Sequence, residues 1–219
     1  IPNRNIKCNL KAYQFANFIS VASQHVKESF LLHQYPENRI FVNPYGVDLS
    51  MFKPLPNIPK KYDVIMVGGW GYEKGCDLIV EAIRKTNYSF IHVGSIKDVD
   101  FPQEKNFTHI DPVDQSKLIE YYNQAKVFIL PSRQDGFGMV LSQALACNLP
   151  IIGSNNCGAP DLKKMVELPE YITIIKDYTA DAIVTAIHTA IKNYEQLGER
   201  IYAGNAIENL TWEAYGKRY

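Results

Sequence analysis

The stretch from Val127 to Ala146 limits the fold more than any other part of this chain. Val127 to Leu130 is an unbroken apolar run, Pro131 and Ser132 end it, and a polar Arg133-Gln134-Asp135 leads into Gly136-Phe137-Gly138. A helical pattern follows, with Val140, Leu141, Ala144 and Leu145 on one face. A strand with no polar alternation has no side to turn to water, so it is expected inside a parallel sheet covered on both faces. A glycine loop that opens a helix leaves backbone N–H groups free at the carboxyl edge of that sheet. Those donors and the positive helix end favour an anion, most simply a phosphate. Gln143 lies one turn beyond Met139, and helical side chains lean toward the N-terminus. It is therefore expected to reach the same pocket as Asp135.

A second unit of the same kind precedes it. Asp63 to Gly68 reads as a buried strand, Gly68, Gly69 and Gly71 as a loop, and Gly75 to Lys85 as a helix carrying Leu78, Ile79, Ala82 and Ile83. Glycine here serves close strand–helix packing as well as it serves a phosphate. Further strands are expected at 18–22, 39–42, 89–94, 107–110, 150–153 and 171–174. Helices are expected from Ser23, as cap, to His33, from Asp114, as cap, to Ala125, from Gly158 to Val166 and from Thr179 to Glu195. Residues 1–16 read as a loop and the end of a helix, 53–61 as a stiff proline linker, and 197–208 and 211–219 as two closing helical pieces. Strands alternating with helices predict an α/β fold: a Rossmann-like parallel sheet with helices on both faces and its ligands at the carboxyl ends of the strands.

Composition excludes several classes. The 219 residues are 46% hydrophobic and 21% charged, which is globular rather than disordered, and their zero net charge argues against a general nucleic-acid binder. No apolar run approaches about 18 residues, so no transmembrane helix is encoded. Cys8, Cys76, Cys147 and Cys157 form no Cys-x-x-Cys pair and read as free thiols of a reduced cytosolic protein. No metal site is expected, and His92 and His109, in strands, read as structural. A chain that begins at Ile1 and shows no signal peptide is expected to be a fragment.

With these residues in view, the chain resembles the C-terminal, donor-binding half of the GT-B-fold retaining glycosyltransferases of the large fourth family (glycosyl transferases group 1). That family has Pro-Ser, a short spacer, Glu-Gly-Phe-Gly, and a second Glu eight positions after the first. Here Pro131-Ser132 and Gly136-Phe137-Gly138 match, and Asp135 and Gln143 stand at the two acidic positions. Gly46-Val47-Asp48, Phe52-Lys53-Pro54, Glu73-Lys74-Gly75 and a C-terminal Trp212-Glu213 also match in order and spacing. The resemblance covers roughly residues 18–219. It implies three parts: 1–45 as the tail of a first, acceptor-binding domain and the crossover, 46–208 as the nucleotide-sugar domain, and 209–219 as a helix crossing back.

The resemblance also implies roles. Lys74 would clamp the leaving diphosphate beside Gly68 and Gly69, the latter at a position where the family has Arg. On that basis Gly69→Arg is expected to raise nucleotide affinity. Asp135 would accept hydroxyls of the transferred sugar, and Gln143 would bond the ribose. Gly136 and Phe137 shape the loop, and Gly138, Met139 and Val140 offer backbone N–H groups. The Ile110 to Val113 turn would meet the base. Lys74 and Asp135 are thus the catalytic candidates, with no cofactor beyond the nucleotide-sugar substrate. The implied reaction is metal-independent transfer of a hexose from a UDP- or GDP-sugar to a glycan or lipid-linked acceptor, as in polysaccharide biosynthesis. The fragment alone is expected to bind but not to transfer. A cytoplasmic location is implied, with peripheral contact at the inner membrane face through the first domain. Two alternatives stand beside it: a degenerate glycosyltransferase-like binding module, motivated by Gly69, Asp135 and Gln143, and another sugar-nucleotide enzyme such as an epimerase.

Overall fold

The computed structural model describes residues 3–197 and 204–219. The chain opens with α1 (Asn3–Phe15), β1 (Ile19–Val21), α2 (Gln24–Leu32) and β2 (Ile40–Val42). β1 and β2 pair in parallel as a separate two-stranded sheet. Next come β3 (Tyr62–Val67), α3 (Cys76–Lys85), β4 (Phe90–Val93), β5 (Phe107–Ile110), α4 (Gln115–Asn123) and β6 (Ala125–Leu130). Then follow α5 (Met139–Ala146), β7 (Ile151–Ser154), α6 (Ala159–Met165), β8 (Ile172–Ile175), α7 (Ala180–Leu197), a 3-10 segment Gly204–Leu210 and α8 (Trp212–Lys217).

β3 to β8 form one six-stranded sheet in the order β5-β4-β3-β6-β7-β8, every pair parallel. The chain builds outward from β3 to β5, then returns to β6 on the other side of β3. The order therefore reverses between β3 and β6, and the loops leaving those two strands part there. Such a switch point opens a crevice at the carboxyl edge of the sheet. Val127 to Leu130 are buried at every position, as both faces of β6 are covered. α3 packs on α7, which also lies along β6, β7 and β8, while α5 and α6 pack on β6, β7 and β8. Cys76, Cys147 and Cys157 are buried free thiols, and Cys8 has no described side chain.

Four expectations change. Residues 3–15 are a helix, not mostly loop. The Asp114 side chain makes no cap bond; its carbonyl accepts from Lys117 N–H instead. Ala125 begins β6 rather than ending α4. The carbonyl of Gln124 accepts from the N–H groups of Lys61 and Tyr62, which turns the chain into register with β3. Residues 204–210 are 3-10, and the part of the closing helical piece at 198–203 lies outside the described residues.

Candidate functional site

A cavity of about 590 Å³ opens at the switch point, lined among others by Gly68 after β3, Lys74, Tyr45 and the run Asp135 to Val140 before and within α5. α5 starts from Gly138 at φ +78°, a left-handed conformation that glycine adopts freely. A Cβ there would also lie 2.8 Å from Leu130. The turn aims the first amides of α5, those of Met139 and Val140, out of the helix end, where no helical carbonyl can accept them. They are donors for an anion in this cavity.

Lys74 and Asp135 meet here. The Lys74 ammonium donates to the Asp135 carboxylate at 2.7 Å, both side chains largely buried. The other Asp135 oxygen accepts from Phe137 N–H at 3.2 Å, and Asp135 N–H donates to the Asn156 carbonyl at 2.9 Å. Lys74 sits on a 3-10 turn, Tyr72–Lys74, which Arg133 holds down. The Arg133 guanidinium donates to both oxygens of Asp77 (2.6 and 2.8 Å) and to the Tyr72 carbonyl (2.7 Å), and it stacks over the Tyr72 ring. Arg133 N–H donates to the Glu73 carbonyl at 2.8 Å. The residue following Ser132 thus ties the β3 loop to the β6 loop.

Gly68 is fixed from below. Its φ is +127°, and a Cβ on Gly94 would collide with its carbonyl oxygen. That carbonyl accepts from Nε2 of the buried His92 at 2.8 Å. His92 Nδ1 lies 2.9 Å from His109 Nδ1. A carbonyl can only accept, so Nε2 of His92 carries the proton and Nδ1 accepts from His109. Burial lowers the His92 pKa to about 4, which keeps the ring neutral.

The crossover closes the side of the site. Ser23 caps α2 by accepting from Val26 N–H, and its hydroxyl donates to the Gly136 carbonyl at 2.6 Å. Gln24 N–H donates to the buried Asp161 carboxylate, whose pKa burial raises. A neighbouring groove of about 680 Å³ between α1, α2 and Gln134–Gly136 carries Tyr13, Phe30 and Tyr35 and meets the first cavity at Asp135.

Gln143 departs from expectation. It is buried, and its side-chain carbonyl accepts from Tyr122 OH at 3.0 Å, which draws it toward α4. It faces a smaller cavity of about 290 Å³ with Asp48, Gln115 and Trp212, not the one that holds Asp135. Met139 lines both. Gly68, Lys74, Asp135, Gly136, Phe137, Gly138, Met139 and Val140 come together in one cavity, Gln143 stands in the next, and Gly69, Ile110 and Val113 line neither. Sequence reasoning missed Arg133 and Tyr45 as site-shaping residues and read Ser23 only as a helix cap. Arg133, placed between two glycine loops, carried a signal.

The family model for "Glycosyl transferases group 1" matches residues 49–206. A probable sucrose-phosphate synthase of Thermosipho melanesiensis is 25% identical over 95% of this chain and 54% of its own length. A GDP-mannose-dependent alpha-(1-6)-phosphatidylinositol monomannoside mannosyltransferase of Mycolicibacterium smegmatis is 23% identical over 93% of this chain and 61% of its own. Among solved structures, Anabaena HepE in complex with UDP and glucose superposes with TM-score 0.78 at 17% identity, covering 100% of this chain and 66% of that one. The C-terminal domain of a glycosyl transferase group 1 protein from Francisella tularensis gives 0.61 at 21%, covering 74% and 95%. The chain thus spans little more than half the length of these two curated relatives, and its fold is that of a GT-B C-terminal domain.

Proposed function

Because the chain belongs to the glycosyl transferases group 1 family, we propose that its nucleotide-sugar domain serves a retaining, metal-independent transfer of a hexose from a UDP- or GDP-sugar. The observation that carries this reading is the Lys74–Asp135 ion pair facing the amides of α5 across the switch-point cavity. A diphosphate there competes for the Lys74 ammonium and takes the α5 amides. Asp135, released from Lys74, accepts hydroxyls of the sugar. As the sugar leaves, charge grows on the diphosphate, and preorganised donors lower the barrier to that step. Gln143 bonds the ribose from the adjoining cavity, and the turn at Ile110 to Val113 faces the base. Residues 1–45 are the tail of an acceptor domain, so the groove beside Asp135 is where a glycan or lipid-linked acceptor approaches. UDP and GDP are supported by the UDP complex of HepE and the GDP-mannose dependence of the mycobacterial relative.

Calorimetric titration of UDP, GDP and ADP tests the reading. One of the first two is expected to bind in the micromolar to millimolar range, with affinity reduced about tenfold or more in Lys74→Ala. Failure of all three to bind would replace it with a degenerate module that assembles without a donor.

A further inference from the structure

The cavity has a charge problem. A nucleoside diphosphate brings at least two negative charges, and among the described residues lining the cavity Lys74 is the only cation. Its charge is already shared with Asp135 at 2.7 Å. A second cation lies beside the rim. The side chain of Lys97, from the segment after β4, runs across Gly69, which directly follows the cavity-lining Gly68. Its Cε is 2.5 Å, its Cδ 3.0 Å and its Nζ 3.1 Å from the point a Cβ on Gly69 would occupy. Only a residue without a side chain leaves that path open.

The backbone that presents Lys97 is fastened to the same loop. Trp70 N–H donates to the Ser95 carbonyl at 2.7 Å, Lys97 N–H donates to the Trp70 carbonyl at 3.0 Å, and Tyr72 N–H donates to the Asp98 carboxylate at 2.8 Å. Residues 70 and 96 form a parallel bridge that extends the β3–β4 pairing past the strand ends. Trp70 itself is buried against His92, Phe101 and Phe107, so this strap has a firm footing. Lys97 is exposed, and no ion pair involves its ammonium among the described residues. One oxygen of the acidic neighbour in sequence, Asp98, accepts from Tyr72 N–H, and no ion pair joins Asp98 to Lys97 among the described residues. A flexible four-carbon stem with an unshared charge at its end can swing from Gly69 to an anion at Gly68.

We propose that Lys97, laid across Gly69, is the second cation of this site and binds the diphosphate of the nucleotide donor. The inference rests on the donor-site reading above. It reverses one sequence expectation: an Arg at residue 69 would displace the Lys97 side chain and exchange one cation for another, so Gly69→Arg alone changes diphosphate affinity by less than about twofold.

The test is calorimetric competition with UDP, UMP, GDP and GMP against the wild-type chain, Lys97→Ala, Lys97→Arg, Gly69→Arg and the double variant Gly69→Arg/Lys97→Ala. Lys97→Ala is expected to weaken the diphosphate about tenfold and the monophosphate much less, Lys97→Arg to retain binding, and the double variant to recover most of the loss. Unchanged diphosphate affinity in Lys97→Ala, with the wild type binding, overturns the Lys97 role and leaves the donor site standing. Equal losses for monophosphate and diphosphate likewise overturn it, since they mark a structural role. A wild type that binds neither diphosphate removes both readings together.

Discussion

Acidification should weaken this fold through His92, and the size of the effect follows from its place beneath Gly68. The ring is buried, donates from Nε2 to the Gly68 carbonyl and accepts at Nδ1 from His109. Both ring nitrogens are used by the neutral form, and burial lowers the pKa to about 4. In the unfolded chain a histidine titrates near 6.5. Above about pH 6.5 neither state is protonated and the group costs nothing. Between the two values the unfolded chain binds a proton that the folded chain does not, so stability falls as pH falls, by about 1.4 kcal/mol per unit. At pH 5 the loss is about 2 kcal/mol, and it levels off near about 3.4 kcal/mol once pH drops below the folded value. Urea unfolding at pH 7.5 and pH 5.0 measures it. His92→Gln can still donate to the Gly68 carbonyl but cannot titrate, so its stability should change about 2 kcal/mol less between those pH values than the wild type's. Titratable groups that do not touch His92 are the same in both proteins and cancel in the comparison; of the described titratable groups around it, only His109 bonds its ring. Equal pH dependence in the two would refute the neutral, buried histidine as the support of the glycine loop.

Other perturbations have definite outcomes. Asp135→Asn removes the partner of Lys74 and should raise affinity for UDP or GDP alone severalfold while lowering affinity for the sugar-bearing donor; calorimetry with each ligand separates the two effects. Gly94→Ala forces a Cβ onto the Gly68 carbonyl in a left-handed conformation, and chemical denaturation should show a loss of about 2 kcal/mol or more. Arg133→Ala leaves Asp77 and the Tyr72 carbonyl without their donor and should cost about 1–3 kcal/mol in the same assay. Ser23→Ala loses the α2 cap and the bond to the Gly136 carbonyl, with an expected cost of about 1 kcal/mol in thermal unfolding.

The sheet was legible because its strands are buried on both faces. Val64 to Val67 and Val127 to Leu130 are apolar runs and Phe90 to Val93 is interrupted only by His92; each is followed by glycine or proline, and each is a strand at that place. The ligand edge of the sheet was legible from two glycine loops, which bring Lys74 and Asp135 together from 61 residues apart; the strand order that makes it a switch point was not. What escaped was decided by single long-range bonds. Gln143 keeps the spacing of a pocket residue, yet a hydroxyl on α4 pulls it into the next cavity. Ala125 continues the Leu118 and Tyr122 pattern, yet pairing with Tyr62 claims it for β6. Helix α1 carries Ile6, Leu10 and Tyr13 at helical spacing, a signal obscured by the polar residues between them. Lys97 has no motif at all; only the space above Gly69 reveals it.

The central claim is that a nucleoside diphosphate sits at the β3–β6 switch point. Backbone amide chemical-shift mapping with UDP and GDP tests it most directly. The account predicts that saturating ligand shifts the amides of Gly68, Gly69, Gly138, Met139 and Val140 and spares the opposite sheet edge around Tyr88 and His188. Shifts confined to any other surface, or none at saturating nucleotide, would contradict it.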